Sequence, residues 1–155
     1  MTKTDLNYIG KVRLRVWEKS DGEEKLIRDT VTNNLLMTTG KESMLKQLAK
    51  ITGGGQFEYI GVGDSTTAAS ASQVDLQASS NKVWKAIASD DRVYVTGTVY
   101  VSTDFGYSEA NFTWNEIALR DDNSSPLMIA RLIDSSPLVK TTSKRAIVEW
   151  QITVS

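Results

Sequence analysis

The segment that most constrains what this chain can fold into is Asn111 to Leu132, NFTWNEIALRDDNSSPLMIARL. It reads as two strands joined by a short polar turn. Asp121, Asp122, Asn123, Ser124 and Ser125 cluster at the turn, and Pro126 restarts the chain. Apolar residues recur every second position on both flanks: Phe112 and Trp114, then Ile117 and Leu119, before the turn, and Leu127 and Ile129 after it. Two charges, Glu116 and Arg131, fall inside these runs, where a charge is costly unless it is paired.

The same alternation recurs along the chain. Between Lys11 and Glu18, Val12, Leu14 and Val16 point one way and Lys11, Arg13 and Arg15 the other, which predicts a half-buried strand. Ser20-Asp21-Gly22 predicts a hairpin turn, with a return strand over Lys25 to Val31. Further strands are predicted over Phe57 to Val62, Val83 to Ala88, Arg92 to Ser102 and Arg145 to Val154. In the Arg92 segment, Val93, Val95, Val99 and Val101 define one face and Tyr94 and Tyr100 the other. Gly97 on the valine face suggests a bulge or a close backbone contact. With the two arms of the central hairpin this makes about eight strands.

One helix interrupts them. Thr39 and Glu42 have capping-box spacing, Met44, Leu45, Leu48, Ala49 and Ile51 form an apolar stripe, and Gly53-Gly54-Gly55 ends it. The stripe is expected to pack into the core; the other reading is a helix laid in a partner's groove. The prediction is a mainly β fold, a jelly-roll-like β-sandwich with one short helix in the N-terminal third, as a single domain over residues 1–155.

Composition narrows the chemistry. The chain has no cysteine and no histidine, which excludes disulfides, thiolate sites and every histidine-dependent triad. Eighteen basic residues against nineteen acidic ones give a net charge of −1, without the basic excess of a nucleic-acid binder. The short basic run Lys140 to Arg145 is read as a solvated strand edge. No apolar run approaches the roughly 18 residues of a membrane span, and no export signal is read at the N-terminus.

Several candidate sites can be weighed. Gly61-Val62-Gly63-Asp64-Ser65-Thr66 follows a strand but lacks the Gly-Lys-Ser/Thr ending of a phosphate loop. Asp21-Gly22-Glu23-Glu24 and Asp121-Asp122-Asn123 are oxygen-rich but lack calcium-loop spacing, so both read as solvated turns. Asp90-Asp91 or Glu109, paired with Glu116, could in principle form a glycosidase-like carboxylate pair, though two turn acids and two strand acids are also an ordinary surface. Neither catalytic residue nor cofactor nor metal is assigned. Asp64 to Ser80, rich in Ala, Ser and Thr, is the longest loop. Asp64, Ser65, Thr66 and Thr67 are its leading partner contacts, and the loop is expected to be dispensable for folding. Phe105 and Tyr107, in the turn Thr103 to Ser108, are further contact candidates. With Tyr94 and Tyr100 they could form a sugar-stacking or protein-binding surface, unless a second sheet packs over them.

Four segments, in order, resemble a family of tailed-bacteriophage virion structural proteins. TNNLLMTTGKESMLKQL (Thr32 to Leu48) is similar to that family's entry into its early helix, and YIGVGDSTTAASASQVDL (Tyr59 to Leu76) to its strand-and-loop segment. NEIALRDDNSSPLMIARL is similar to its hairpin, and Ala146 to Val154 to its closing strand. The chain departs from the pattern at Ala118, where Gly is common, and at Arg120-Asp121, where an aromatic or apolar residue is common.

The resemblance implies a non-enzymatic jelly-roll-like protein exposed on the virion, made in the host cytoplasm and assembled into a tail fibre, a baseplate or a head decoration. Its implied partners are other virion proteins and copies of itself, a trimer being favoured, with a host surface glycan as the alternative target. Neither nucleic acid nor membrane insertion is implied. Asn34 and Gly40 would shape the turn into the helix, and Glu116 and Arg131 would be paired in the hairpin.

Overall fold

The computed structural model describes residues 8–50, 55–122 and 128–154. Among them, ten strands form two five-stranded antiparallel sheets. The first sheet has the order β2 (Glu23–Asn33), β1 (Tyr8–Ser20), β10 (Lys144–Val154), β7 (Thr98–Phe105), β6 (Arg92–Val95). The second has the order β3 (Leu35–Leu36), β9 (Met128–Val139), β8 (Thr113–Asp121), β4 (Phe57–Gly63), β5 (Lys82–Ala86).

The expected sandwich is what forms, because alternating strands bury one face each. Val12, Leu14 and Val16 of β1, and Ala146, Val148, Trp150 and Ile152 of β10, meet Ile60, Val62, Ile117, Leu119, Ala130 and Leu132 of the other sheet in one core. Phe105 stacks edge-on against Trp114 inside it, with ring centroids 5.0 Å apart. β1 pairs along its length with β10, so the two ends of the described chain lie side by side.

Two more strands form than the eight read from the pattern. One is β3, two residues long and too short to carry a period. The other comes from Arg92 to Ser102, which is not one strand but the hairpin β6–β7. Thr96 and Gly97 make its two-residue turn, with φ of 41° and 81°, the backbone of a type I′ turn. Gly97 is therefore a turn glycine rather than a bulge. The turn also divides the valines between faces: Val93 pairs with Tyr100, and Tyr94 with Val99.

The central hairpin forms as β8 and β9; its turn residues Asn123, Ser124, Ser125, Pro126 and Leu127 lie outside the described residues. The change of phase between Trp114 and Ile117 is a break in register. Trp114 pairs with Leu138 and Glu116 with Ile133, so Asp134 to Pro137 bulge out of β9. The bulge reaches the opposite sheet, where Arg28 of β2 binds both Asp134 oxygens at 2.9 and 2.8 Å and also the Ser136 carbonyl.

Helix α1 (Thr38–Leu48) departs from its pattern. Met37 stands at its N-cap without a side-chain cap, and Thr39 Oγ1 donates to the Met128 carbonyl instead. The face it buries is Gly40 and Ser43. Leu45 and Leu48 are 64% and 82% exposed, so the apolar stripe does not pack into the core. The reason is Gly40, where an added Cβ would stand 2.7 Å from Ile129 Cα. The helix approaches β9 through its smallest residues, and this turns the leucines outward. Ile51, Gly53 and Gly54 lie outside the described residues.

Candidate functional site

The outer face of the second sheet carries the most elaborated polar site of the molecule. Glu116 of β8 and Arg131 of β9 project there, and both side chains are fully buried. Arg131 Nε donates to Glu116 Oε2 at 2.7 Å. Burial of such a pair is tolerated when the remaining donors and acceptors are satisfied, and here the loop Asp64 to Ser80 satisfies them. Glu116 accepts the backbone N–H groups of Gln77 (3.0 Å) and Ala78 (2.8 Å). Arg131 donates to Gln73 Oε1 and to the Thr67 carbonyl, both at 2.9 Å. A side chain at Gly63 would run into Glu116, so the glycine is what admits the carboxylate.

The loop is therefore a strap held down along its length. Leu76 packs with Met37, Ala118 and Met128, with Trp84 against the cluster, and Ala78 is buried. Asp75 accepts Lys82 Nζ at 2.9 Å and Trp84 Nε1 at 3.1 Å. Burial alone would raise the Asp75 carboxyl, but the Lys82 ammonium and the Leu76 N–H outweigh it and hold the group below its usual range. Thr38 N–H donates to the Ala71 carbonyl, tying the strap to the start of α1. These contacts weigh against the expectation that the loop is dispensable for folding: without it, a buried ion pair and an apolar cluster would face water.

Among the proposed contacts, Asp64 and Ser65 are half-buried. Asp64 accepts Asn81 Nδ2 at 2.7 Å and its carbonyl accepts Asn115 Nδ2, while Ser65 Oγ accepts the Thr67 N–H. Thr66 and Thr67 are exposed. Phe105 is completely buried, so it is a core residue and offers no contact. Tyr107 is half-buried, its hydroxyl donating to Glu24 on β2. With Tyr94 and Tyr100 on opposite sides of their sheet, the four aromatics do not share one surface.

Asn34 lies where the chain crosses from β2 to β3, ahead of the helix entry. Its N–H donates to the Gly10 carbonyl at 3.2 Å. Its side chain lies under Gly10, near the Tyr8 hydroxyl and Trp150, and none of these polar ends reaches full hydrogen-bond geometry with another. Burial dominates there and pushes the Tyr8 phenol up to about 12. Gly40 stands inside α1, in contact with β9, rather than in the turn before it.

The carboxylates weighed as a catalytic pair have other engagements. Glu116 is enclosed with Arg131, and Glu109 binds Lys85 Nζ through both oxygens, at 2.7 and 2.6 Å. Lys85 is the main cause that holds the Glu109 carboxyl low. Asp90 and Asp91 are exposed on a 3-10 turn, Ser89–Asp91.

Lys140 is a site the sequence reading missed. In place of a solvated edge, its Nζ is buried and donates to the carbonyls of Gly106 (2.8 Å) and Glu109 (3.1 Å) and to Asn111 Oδ1 (3.0 Å). It thereby fixes the β7–β8 loop, and burial lowers its ammonium pKa. Among the described residues no cluster of three or more acidic side chains could hold a metal ion, and no helix is long and apolar enough to cross a membrane. No family model matches the chain, and neither a characterised protein nor a solved structure shows significant similarity to it.

Proposed function

We propose that this chain is a non-enzymatic structural component of a bacteriophage virion, exposed on the particle in a tail fibre, a baseplate or a capsid decoration. It acts through contacts with other virion proteins and with copies of itself. The sequence resemblance motivates the reading. The observation that carries it is the division of labour in the side chains. Glu116, Arg131, Asp134, Arg28, Glu109 and Lys85 are engaged inside the fold, whereas large apolar residues are left outward on edges and on α1. Leu26, Ile27 and Val31 on edge strand β2, and Val93, Tyr94 and Val95 on edge strand β6, are 44% to 71% exposed. Such edges invite further protein.

The glycan-binding alternative rested on one shared aromatic surface, and those aromatics lie apart. Quantitative mass spectrometry of purified virions tests the proposal. It predicts the protein at many copies per particle, in constant ratio to a known head or tail protein. Loss of the protein on gradient purification would overturn it.

A further inference from the structure

Leu119 enters the core, so its neighbour Arg120 stands on the outer face of the second sheet. From β8 it reaches across β4 toward β5. Its guanidinium carbon lies 4.4 Å from the ring centre of Tyr59 on β4 and 4.8 Å from that of Trp84 on β5. Three neighbours build this clamp. Gly61 pairs with Trp84, and a Cβ there would stand 2.5 Å from Trp84 Cε3, so the glycine is what lets the indole lie over β4. Asp75 accepts the Trp84 Nε1–H at 3.1 Å and fixes the ring from the strap. Tyr59 pairs directly with Arg120 across the β4–β8 ladder. Both rings lie on the side of β8 away from β9, and so away from the β8–β9 turn.

Aromatic rings attract a guanidinium through its faces and leave its N–H edge unbound. Here Nε is enclosed without an acceptor, and among the described residues neither Nη group meets a carboxylate. This sets Arg120 apart. Each of the other six arginines of the chain has a carboxylate within 3.6 Å. Arg15 and Arg145, which also lie over a ring, that of Trp17, are among them. We propose that Arg120, clamped between Tyr59 and Trp84, is a binding site for a carboxylate, seated end-on so that it accepts from both Nη groups. All three clamp residues are half-buried, so the site opens to solvent. The planar fork matches two coplanar oxygens, and one guanidinium balances one carboxylate. A phosphate would call for a second cation, and Lys82, on the same face of β5, is committed to Asp75. The partly enclosed setting strengthens the contact relative to a fully hydrated arginine. The site goes beyond the virion reading and does not depend on it, since its ligand chemistry is measured without a particle.

Magnetic resonance titration of the isotope-labelled chain tests it, following the arginine Nε–H and tryptophan Nε1–H signals at an ionic strength held constant with sodium chloride. Arg120→Lys identifies the Arg120 signal by its loss, and Trp84→Phe that of Trp84. Sodium acetate should shift both signals saturably. An acetylated triglutamate peptide saturating at lower concentration than acetate assigns the ligand to a protein's acidic side chain; acetate saturating first assigns it to a small organic acid. In Arg120→Lys, which keeps the charge and loses the fork, the Trp84 shift should need roughly 10-fold more ligand, the loss of one charge-assisted hydrogen bond. Should that variant fail to fold, the wild-type titration decides by itself. Neither carboxylate saturating, chloride alone giving the same shifts, phosphate binding more tightly than acetate, or Arg120→Lys binding as tightly as wild type each overturns the proposal.

Discussion

At the residue scale, the fold turns on Glu116 and Arg131. Removing one member of a buried, hydrogen-bonded pair leaves the other charge uncompensated, so Arg131→Ala should lower the free energy of unfolding by about 3 to 5 kcal/mol. Chemical denaturation checks the magnitude. Amide exchange should also show Gln77 and Ala78, whose N–H groups lie on Glu116, losing protection well before the core strands. The need for a partner was legible, because both charges interrupt apolar runs. Its second half was not. The strap meets the pair through two backbone N–H groups, one carbonyl and the Gln73 amide oxygen, and the backbone groups carry no residue-type signal. Lys140 was misread for a related cause: an isolated lysine held by carbonyl oxygens looks, in sequence, like a solvated one.

Tyr8 contributes one pH dependence of stability, at alkaline pH. Its phenol has an ordinary value of 10.0 and is raised to about 12 in the fold. The folded chain therefore holds the proton more tightly than the unfolded chain. The contribution is fully present below pH 10 and is lost as pH rises toward 12, a decline of about 2 to 3 kcal/mol. Unfolding measured across that window should show Tyr8→Phe declining less steeply than wild type. Equal slopes would place the titration elsewhere.

At the scale of elements, two local devices decide the geometry. Thr96 stands in the type I′ turn at φ 41°, where a β-branched residue is strained and Asn is preferred. Thr96→Asn should raise stability by about 1 kcal/mol, read as a higher melting temperature. The turn escaped the sequence reading because Thr-Gly is a weak type I′ signal, and valines on both sides continued an apparent single strand. Gly40 is the second device. Gly40→Ala would press a methyl group into the β9 backbone, which has little room to yield, and should destabilise by about 1 to 3 kcal/mol. The apolar stripe of α1 was visible and its direction was not. Periodicity says which residues share a helix face, but contact with β9 goes to the face carrying Gly40 and Ser43.

At the scale of the whole molecule, strand-length runs separated by polar turns, with alternating burial, were enough for the sandwich. Long-range order was not readable: which strands pair, where β9 bulges toward the opposite sheet, and that the longest loop closes over one sheet. The resulting body is braced by internal ion pairs and leaves apolar edges and one helix face outward, which suits a component that works by being held and by holding. Immunogold labelling of virions from the source, with antibody to the purified chain, tests that account most directly. It predicts gold on the particle, either spread over the head as for a decoration protein or confined to the tail as for a fibre or baseplate component. Unlabelled particles, with the epitope shown to be accessible, would contradict it.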